Sequence, residues 1–128
     1  EQTMGQVEIS AILRDLFAGT RFDIEWNIEA PKTRNCVRMA FLALLCIETA
    51  LHHGGHIIIT EQGKTFRLQA TADKIAIEPG LWDLMSDPDH ETMLQPAQVQ
   101  FALLPLIAAE SGRRVTMEAS ETELTVRF

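Results

Sequence analysis

The feature that most constrains the fold is a long apolar segment, residues 31–55, with the sequence PKTRNCVRMAFLALLCIETALHHGG. After Pro31 and Lys32, Thr33 is well placed to cap the start of a helix, and Gly54–Gly55 is typical of a helix end. We therefore predict a helix of about twenty residues whose apolar side chains cover most of its circumference. A helix of this kind must be covered on nearly every side, so it should lie at the centre of the fold.

Helical spacing divides this segment into two stripes. One stripe is apolar along its whole length and consists of Val37, Ala40, Phe41, Leu44, Ile47 and Leu51. The opposite stripe is polar at both ends and apolar in its middle, and consists of Asn35, Arg38, Leu42, Cys46 and Thr49. By itself the helix indicates no activity.

Composition limits the classes of protein to which the chain can belong. Its 128 residues, 46% of them hydrophobic and 23% charged, are typical of one globular domain spanning residues 1–128. The net charge of −7 argues against nucleic acid and anionic membrane surfaces as partners. The longest apolar run, residues 39–47, is much shorter than the roughly 20 residues of a membrane span. The first residues also lack a signal-peptide pattern, so we expect a cytoplasmic protein, and the absence of an initial methionine suggests a part of a longer one.

The two cysteines, Cys36 and Cys46, lie ten residues apart on the predicted helix. A helix rises about 1.5 Å per residue, which separates them by about 15 Å, beyond the reach of a disulfide. We interpret them as reduced thiols, in keeping with a cytoplasmic location. Because no second pair of ligands completes a site, they indicate no metal centre.

Hydrophobic periodicity predicts the other elements. Helical spacing indicates helices over residues 7–18 and 95–111, the second kinked at Pro105. Residues 73–77 could form a short edge strand, and residues 78–96 read as a partly ordered connection with one helical turn. Alternation indicates strands at residues 20–29, 65–71, 113–119 and 123–128, and the short β-branched run at residues 56–60 indicates another. The economical arrangement is an α+β two-layer sandwich, with helices on one face of an antiparallel or mixed sheet.

Histidines are the first candidates for chemistry. His52 and His56 would form a helical zinc pair only if the helix continued through Gly54–Gly55, and no acidic base lies between them. We therefore interpret His52, His53 and His56 as solvated side chains near a helix end, with metal binding as the alternative. His90–Glu91 resembles the His-acid dipeptide of phospho-accepting helices, but it lies in the proline-flanked connection.

The same connection carries acidic side chains and a tryptophan. We interpret Asp83, Asp87, Asp89 and Glu91 as a solvated loop, with a cation-binding or partner-binding surface as the alternative. Trp82 is either a core anchor for the connection or part of a contact surface. The chain contains no GxSxG, Walker lysine loop or GxGxxG, so nucleophilic hydrolysis and phosphate cradling both lack a motif.

The element order around the long helix resembles the ATPase-type domain of histidine kinases, a Bergerat-like two-layer α/β sandwich. In that family the helix carries asparagines that hold the magnesium ion of ATP, and a DxGxG loop and a glycine-rich lid follow. Anchored on Gly54–Gly55, the asparagine positions correspond to Leu42 and Cys46, and Asp73 is the nearest candidate for the loop aspartate. Leu42 and Cys46 lack the oxygen ligands that magnesium requires, KIAI follows Asp73 without a glycine, and the lid region, residues 82–96, contains none. The resemblance therefore implies a degenerate ATP site without cofactor or metal.

The combination of a kinase-like fold with a degenerate nucleotide site resembles the C-terminal domain of the ChpT-type histidine phosphotransferases of alphaproteobacteria. The likeness rests on the IEW strand, on PKTRNCVRMAFLALLCIETALHHGG and on LQPAQVQFALLPLIAAESGRRVTM, and it covers residues 7–128. It implies an N-terminal hairpin, expected to be absent from this chain, that forms a homodimer and carries the phosphorylated histidine. It also implies that the degenerate domain helps to dock response-regulator receiver domains, including the receiver of a hybrid histidine kinase.

These observations support three hypotheses about function. The first is a non-catalytic docking domain of a histidine phosphotransferase in a two-component phosphorelay, with no catalytic residue in this chain. The alternatives are a functional ATP-binding, kinase-like domain and an unrelated α+β interaction module. If Leu42 and Cys46 line a closed apolar remnant, Leu42→Asn should cost roughly 1–3 kcal/mol of stability, because it buries an unpaired amide.

Overall fold

Five strands form one mixed sheet, and one face of that sheet is covered by helices. The computed structural model describes residues 2–87, 89–90 and 92–128. The sheet strands are β2 (Phe22–Trp26), β4 (Gly55–Gln62), β5 (Thr65–Thr71), β6 (Thr116–Ala119) and β7 (Glu123–Arg127). Their order is β2-β4-β5-β7-β6, in which β2 runs parallel to β4 and all other neighbours are antiparallel. A separate antiparallel ribbon pairs the two-residue strands β1 (Thr3–Met4) and β3 (Lys32–Thr33).

The helices are α1 (Gln6–Leu16), α2 (Arg34–Glu48), α3 (Pro79–Trp82) and α4 (Gln100–Glu110). A 3₁₀ turn, Asp83–Met85, continues α3, and another, Pro96–Gln98, precedes α4. None of the helices in the described part of the chain has the length and apolar content to cross a membrane.

The register of the sheet places its buried side chains in rows beneath the helices. Ile57 of β4 pairs with Ala70, and Ala70 pairs with Leu124 of β7. The next row is Ile59, Leu68 and Val126. All six side chains are fully buried, whereas the side chains between them, such as Arg67 and Gln69, are partly exposed. Because side chains of a strand alternate between faces, the helices cover one face and the other is polar and partly open. The predicted α+β sandwich is confirmed.

Helix α2 lies against the centre of the sheet, as its sequence predicts. Its first turn is capped by Thr33, whose Oγ1 accepts a hydrogen bond from the Cys36 amide at 3.3 Å. The helix ends at Glu48, earlier than the predicted twenty residues, and a turn carries the chain to β4. Leu51 in this turn is buried, so the apolar pattern continues beyond the helix without continuing its geometry.

Gly54 makes the connection from α2 into the sheet possible. Its φ is +85°, and a Cβ at this position would overlap the carbonyl oxygen of Arg21. The neighbouring Gly55 amide donates to that same carbonyl at 3.1 Å, at the parallel junction of β2 and β4. Only glycine combines this backbone conformation with such a close approach.

Residues 73–77 are not the edge strand that the sequence suggested. The Ile75 amide donates to the Glu121 carbonyl at 2.7 Å, and the Ala76 amide donates to the Ala50 carbonyl at 2.9 Å. These two bonds lead the chain away from the sheet and across to the end of α2. The segment joins the two layers of the sandwich.

The second long helix also begins later than predicted. The segment expected over 95–111 starts as a 3₁₀ turn with a capping box between Gln95 and Gln98, and α4 follows from Gln100. Pro105 lies inside α4 and is buried. Gly112, with φ of +70°, ends the helix and leads to the terminal hairpin of β6 and β7, which was predicted.

Candidate functional site

The two positions that the resemblance aligns with magnesium-binding asparagines lie in different environments. Cys46 is fully buried within the core, and burial raises the pKa of its thiol, so the thiol stays protonated at neutral pH. Leu42 lies one turn earlier on α2 and is half-buried against the core. Neither side chain offers an oxygen ligand, and Cys46 could reach no solvent-borne ligand without opening the core.

Asp73, the candidate loop aspartate, lies elsewhere. It is exposed and lines a cavity of about 670 Å³ at the end of the sheet where β4 begins, together with Asp23, Glu123 and Gly54–Gly55. Among the described residues, neither Leu42 nor Cys46 lines this cavity. The structure therefore does not bring the three sequence-predicted positions into one pocket.

The segment that aligns with the kinase lid begins inside the core. Three apolar side chains at its start are buried, namely Trp82, Leu84 and Met85, as is Leu81 directly before it. The Trp82 ring meets the Phe101 ring of α4 edge to face, with centroids 5.2 Å apart. The interpretation of Trp82 as a core anchor is confirmed. The start of the segment is therefore anchored in the core.

The histidines do not form a helical pair. His52 and His53 are exposed in the turn after α2, as expected. His56 differs from the prediction of a solvated side chain, because it lies on β4 and its Nδ1 is 2.8 Å from a carboxylate oxygen of Asp23. Its Nε2 lies 3.8 Å from Glu25 on the same neighbouring strand. The parallel register of β2 and β4 places Asp23 directly opposite His56, so this contact is set by strand pairing.

The acidic connection has the character predicted for most of its residues. Asp83, Asp87 and Asp89 are exposed, and the amide of His90 donates to the Asp87 carbonyl at 2.9 Å. Glu91, and with it the second half of the His90–Glu91 dipeptide, lies outside the described residues. His90 itself is half-buried in a turn and does not lie on a helix.

An exposed apolar stripe on the outer side of α4 is the feature that the sequence did not reveal. Val99, Leu103 and Leu106 follow one another at helical spacing and are 48%, 37% and 55% exposed. Leu45 of α2 is also exposed, at 44%, and its backbone carbonyl accepts a hydrogen bond from the side chain of Gln100, the neighbour of Val99, at 3.4 Å. We call Leu45, Val99, Leu103 and Leu106 the helical apolar patch. The sequence of α4 is apolar on nearly all sides, so its pattern could not indicate which side faces solvent.

Comparison with known proteins assigns the fold to a family. The family described as "Histidine phosphotransferase C-terminal domain" matches residues 6–123. This chain belongs to that family. Membership excludes the unrelated interaction module, and no curated protein sequence matches the chain.

Solved structures support the assignment at the level of the fold. A bacterial phosphotransferase is similar to this histidine phosphotransferase domain with a TM-score of 0.82 and 17% sequence identity, over 98% of this chain and 63% of that one. The domain thus spans less than two thirds of that phosphotransferase. The mycobacterial sensor histidine kinase MprB is similar with a TM-score of 0.57 and 12% identity, over 99% of this chain and 95% of that one. The Acinetobacter baumannii histidine kinase AdeS is similar with a TM-score of 0.55 and 8% identity, over 99% of this chain and 66% of that one. The predicted likeness to both the phosphotransferases and the kinase ATPase-like fold is confirmed.

Proposed function

We propose that this histidine phosphotransferase domain is a docking module of a two-component phosphorelay, which helps to bind response-regulator receiver domains and binds no ATP itself. The phosphoryl group would pass between a receiver aspartate and a histidine on a dimer-forming hairpin of the complete phosphotransferase. Receivers of response regulators and of hybrid histidine kinases are the expected partners. No catalytic residue is assigned to this chain, which works in the cytoplasm on this proposal.

The observation that carries the proposal is the state of the two aligned asparagine positions. A magnesium–nucleotide complex needs oxygen ligands at a surface that water and nucleotide can reach. Cys46 is fully buried and its thiol is held protonated by burial, and Leu42 supplies only carbon atoms. The buried side chains at the start of the lid-equivalent segment, Trp82, Leu84 and Met85, support the same conclusion.

The helical apolar patch supports the docking role. Single exposed leucines are ordinary on a protein surface, but here four large exposed apolar side chains lie on two helices that pack together, and clusters of this kind are used for protein contacts. Two packed helices present it rigidly. A receiver that buries this patch would gain apolar contact without any rearrangement of the domain.

A nucleotide titration tests the first half of the proposal. We expect isothermal titration of the complete phosphotransferase with ATP and Mg²⁺ to show no binding at micromolar concentrations, and the same for ADP. A histidine kinase ATPase domain measured beside it serves as the positive control. Micromolar, magnesium-dependent binding would contradict the proposal and restore the kinase-like alternative.

A pair of leucine substitutions tests the docking role. Leu106 and Leu16 are both exposed helix leucines, but Leu106 lies in the helical apolar patch and Leu16 lies on α1. Burying a leucine side chain contributes about 1.5–3 kcal/mol, so Leu106→Gln should weaken receiver binding by about tenfold or more. Leu16→Gln should leave the dissociation constant within about twofold. Equal effects of the two changes would argue against this patch as the docking surface.

A further inference from the structure

A second, basic cavity lies at the other end of the sheet from the cavity that Asp73 lines. Its volume is about 450 Å³, and its lining contains four cationic side chains: Lys64, Arg113, Arg114 and Arg127. No aspartate or glutamate occurs among the described residues that line it. The chain has only 11 lysines and arginines and a net charge of −7, so a cluster of four cations has the opposite sign to the net charge of the chain.

Two of these cations are held by the fold and two are free to meet a partner. The Arg113 guanidinium donates to the carbonyls of Lys64 and Phe128 and lies 5.3 Å from the centre of the Phe66 ring. Arg127 pairs with Glu118 at 2.8 Å. Within the part of the chain that the structure describes, the side chains of Lys64 and Arg114 make no salt bridge and no hydrogen bond, and both are exposed.

Strand pairing separates the charges of the domain into two ends. Thr71 pairs with Glu123 at one end of the β5–β7 ladder, and Arg67 pairs with Arg127 at the other. The Glu123 end also carries Asp23 and Asp73 around the larger cavity. The basic cavity therefore lies at the far end of the sheet from the main acidic cluster. Because of this separation, those carboxylates cancel little of the positive potential at the basic cavity.

The basic cavity continues onto the start of α2. Ser111 lines the cavity, and its Oγ accepts a hydrogen bond from the Asn35 side chain at 2.8 Å. Asn35 in turn accepts one from the Arg38 guanidinium at 2.7 Å. The first turn of α2 contains no acidic residue, so the positive end of its dipole adds to the field. The end of α4 contributes an opposite partial charge of about half an elementary charge, which is small beside four full cations.

We propose that this basic end binds an acidic surface of the receiver domain and thereby orients it on the helical apolar patch. The inference rests on the proposed docking function and adds the chemistry of the partner surface. Arg38 and Leu45 are both exposed and lie seven residues apart on α2, which places them on one face of the helix about 10 Å apart, so the basic end and the patch adjoin. A partner that covers the apolar leucines would place its margin over Arg38, Arg114 and Lys64. Only a margin rich in carboxylates would match these cations, and charge complementarity of this kind sets association rate and orientation.

Two charge-reversal variants with the same net charge test the proposal. Lys64→Glu/Arg114→Glu reverses the two free cations, and Arg14→Glu/Lys74→Glu reverses two exposed cations outside the cavity. Binding of the complete phosphotransferase to its receiver domains is measured by biolayer interferometry between 50 and 300 mM NaCl, a range over which screening grows strongly. We expect the first variant to lose about tenfold or more in association rate at low salt and most of the salt dependence. The second variant should remain within about twofold of the wild type at each salt concentration.

The outcomes separate this inference from the proposed function. If receivers bind the wild type and both variants equally well, the basic end is not part of the docking surface, and the docking function stands. If both variants lose affinity equally, net charge and not this surface controls binding, and the inference is overturned. If no receiver binds the wild type, the docking function fails and the inference fails with it. Melting temperatures check that the variants are folded, and Lys64→Gln/Arg114→Gln replaces the first variant if it is not.

Discussion

Asparagine substitution at the two aligned positions of α2 is a sharp test of how far their environments differ. Cys46 is fully buried and Leu42 is half-buried, although both lie on the stripe that the resemblance aligns with the asparagines of kinases. The same substitution should therefore have very different consequences at the two positions. Cys46→Asn buries an amide with no arranged partner, at a cost of about 1–3 kcal/mol. It also adds two heavy atoms to a filled core, which costs about 1–3 kcal/mol more.

The expected total for Cys46→Asn is about 2–6 kcal/mol, which is a large share of the roughly 5–15 kcal/mol that stabilises a domain. For Leu42→Asn the amide stays partly hydrated and only part of the leucine transfer free energy is lost, so we expect about 1 kcal/mol. This is the lower end of the range that the sequence predicted for a closed pocket. A domain of this size loses about 3–6 °C of melting temperature per kcal/mol.

Urea unfolding followed by tryptophan fluorescence measures both changes in free energy. With an m-value of about 2 kcal/mol/M, Cys46→Asn should lower the midpoint by about 1–3 M and Leu42→Asn by about 0.5 M. Cys46→Ala serves as the control for loss of the thiol alone. Equal costs at the two positions, or a Cys46→Asn variant as stable as the wild type, would refute the assignment of Cys46 to a closed core.

Three further predictions follow from the structure. Gly54→Ala should destabilise the domain by about 2 kcal/mol or more, because the backbone has φ +85° and the added Cβ would overlap the Arg21 carbonyl. Gly63→Ala should cost only about 1 kcal/mol, because Gly63 has φ +59° but open space around it. Thermal melts would compare the two variants, and equal losses of stability would refute the packing argument. Burial raises the pKa of the Cys46 thiol in the folded state, so the thiol of the unfolded chain loses its proton at lower pH than the folded one. The free energy of unfolding should therefore fall by roughly 2 kcal/mol between pH 8.5 and 10. Cys46→Ala should remove this part of the pH dependence, and an unchanged pH profile of stability in that variant would contradict the prediction. Trp82→Ala should lower the free energy of unfolding in urea by about 3–5 kcal/mol, because it removes a buried ring that packs against Phe101. Met93→Ala should leave stability unchanged, because the Met93 side chain is 94% exposed. A small effect of Trp82→Ala would show that Trp82 does not anchor the connection.

Local chemistry was enough to predict most of the elements. Thr33 caps α2, Gly63 turns the β4–β5 hairpin with φ +59°, and β5 spans Thr65–Thr71 as its alternation predicts. Each of these signals acts over a few residues, through a side-chain cap, a positive φ or a period of two. The apolar identity of Leu42 and Cys46 was visible in the same way.

Element ends and exposed faces could not be predicted in this way. Helix α2 stops at Glu48 because the chain must turn back to β4, although apolar residues continue to Leu51. Residues 73–77 read as a strand but bond to Glu121 and to Ala50, two segments far away in sequence. The two-residue ribbon of β1 and β3 is too short to leave a periodic signal.

The sequence by itself determined that a long apolar helix would lie at the centre of a two-layer fold, and that the aligned positions Leu42 and Cys46 on it carry no oxygen ligand. Both conclusions follow from side-chain chemistry and helical period alone. Only the tertiary structure decided that Cys46 is sealed while Leu42 is half open, that one side of α4 faces solvent, and that Lys64, Arg114 and Arg127 share one cavity. The physical reason is that these properties depend on which distant segments pack against a residue, and antiparallel pairing of β5 with β7 brings residues about sixty positions apart to the same edge.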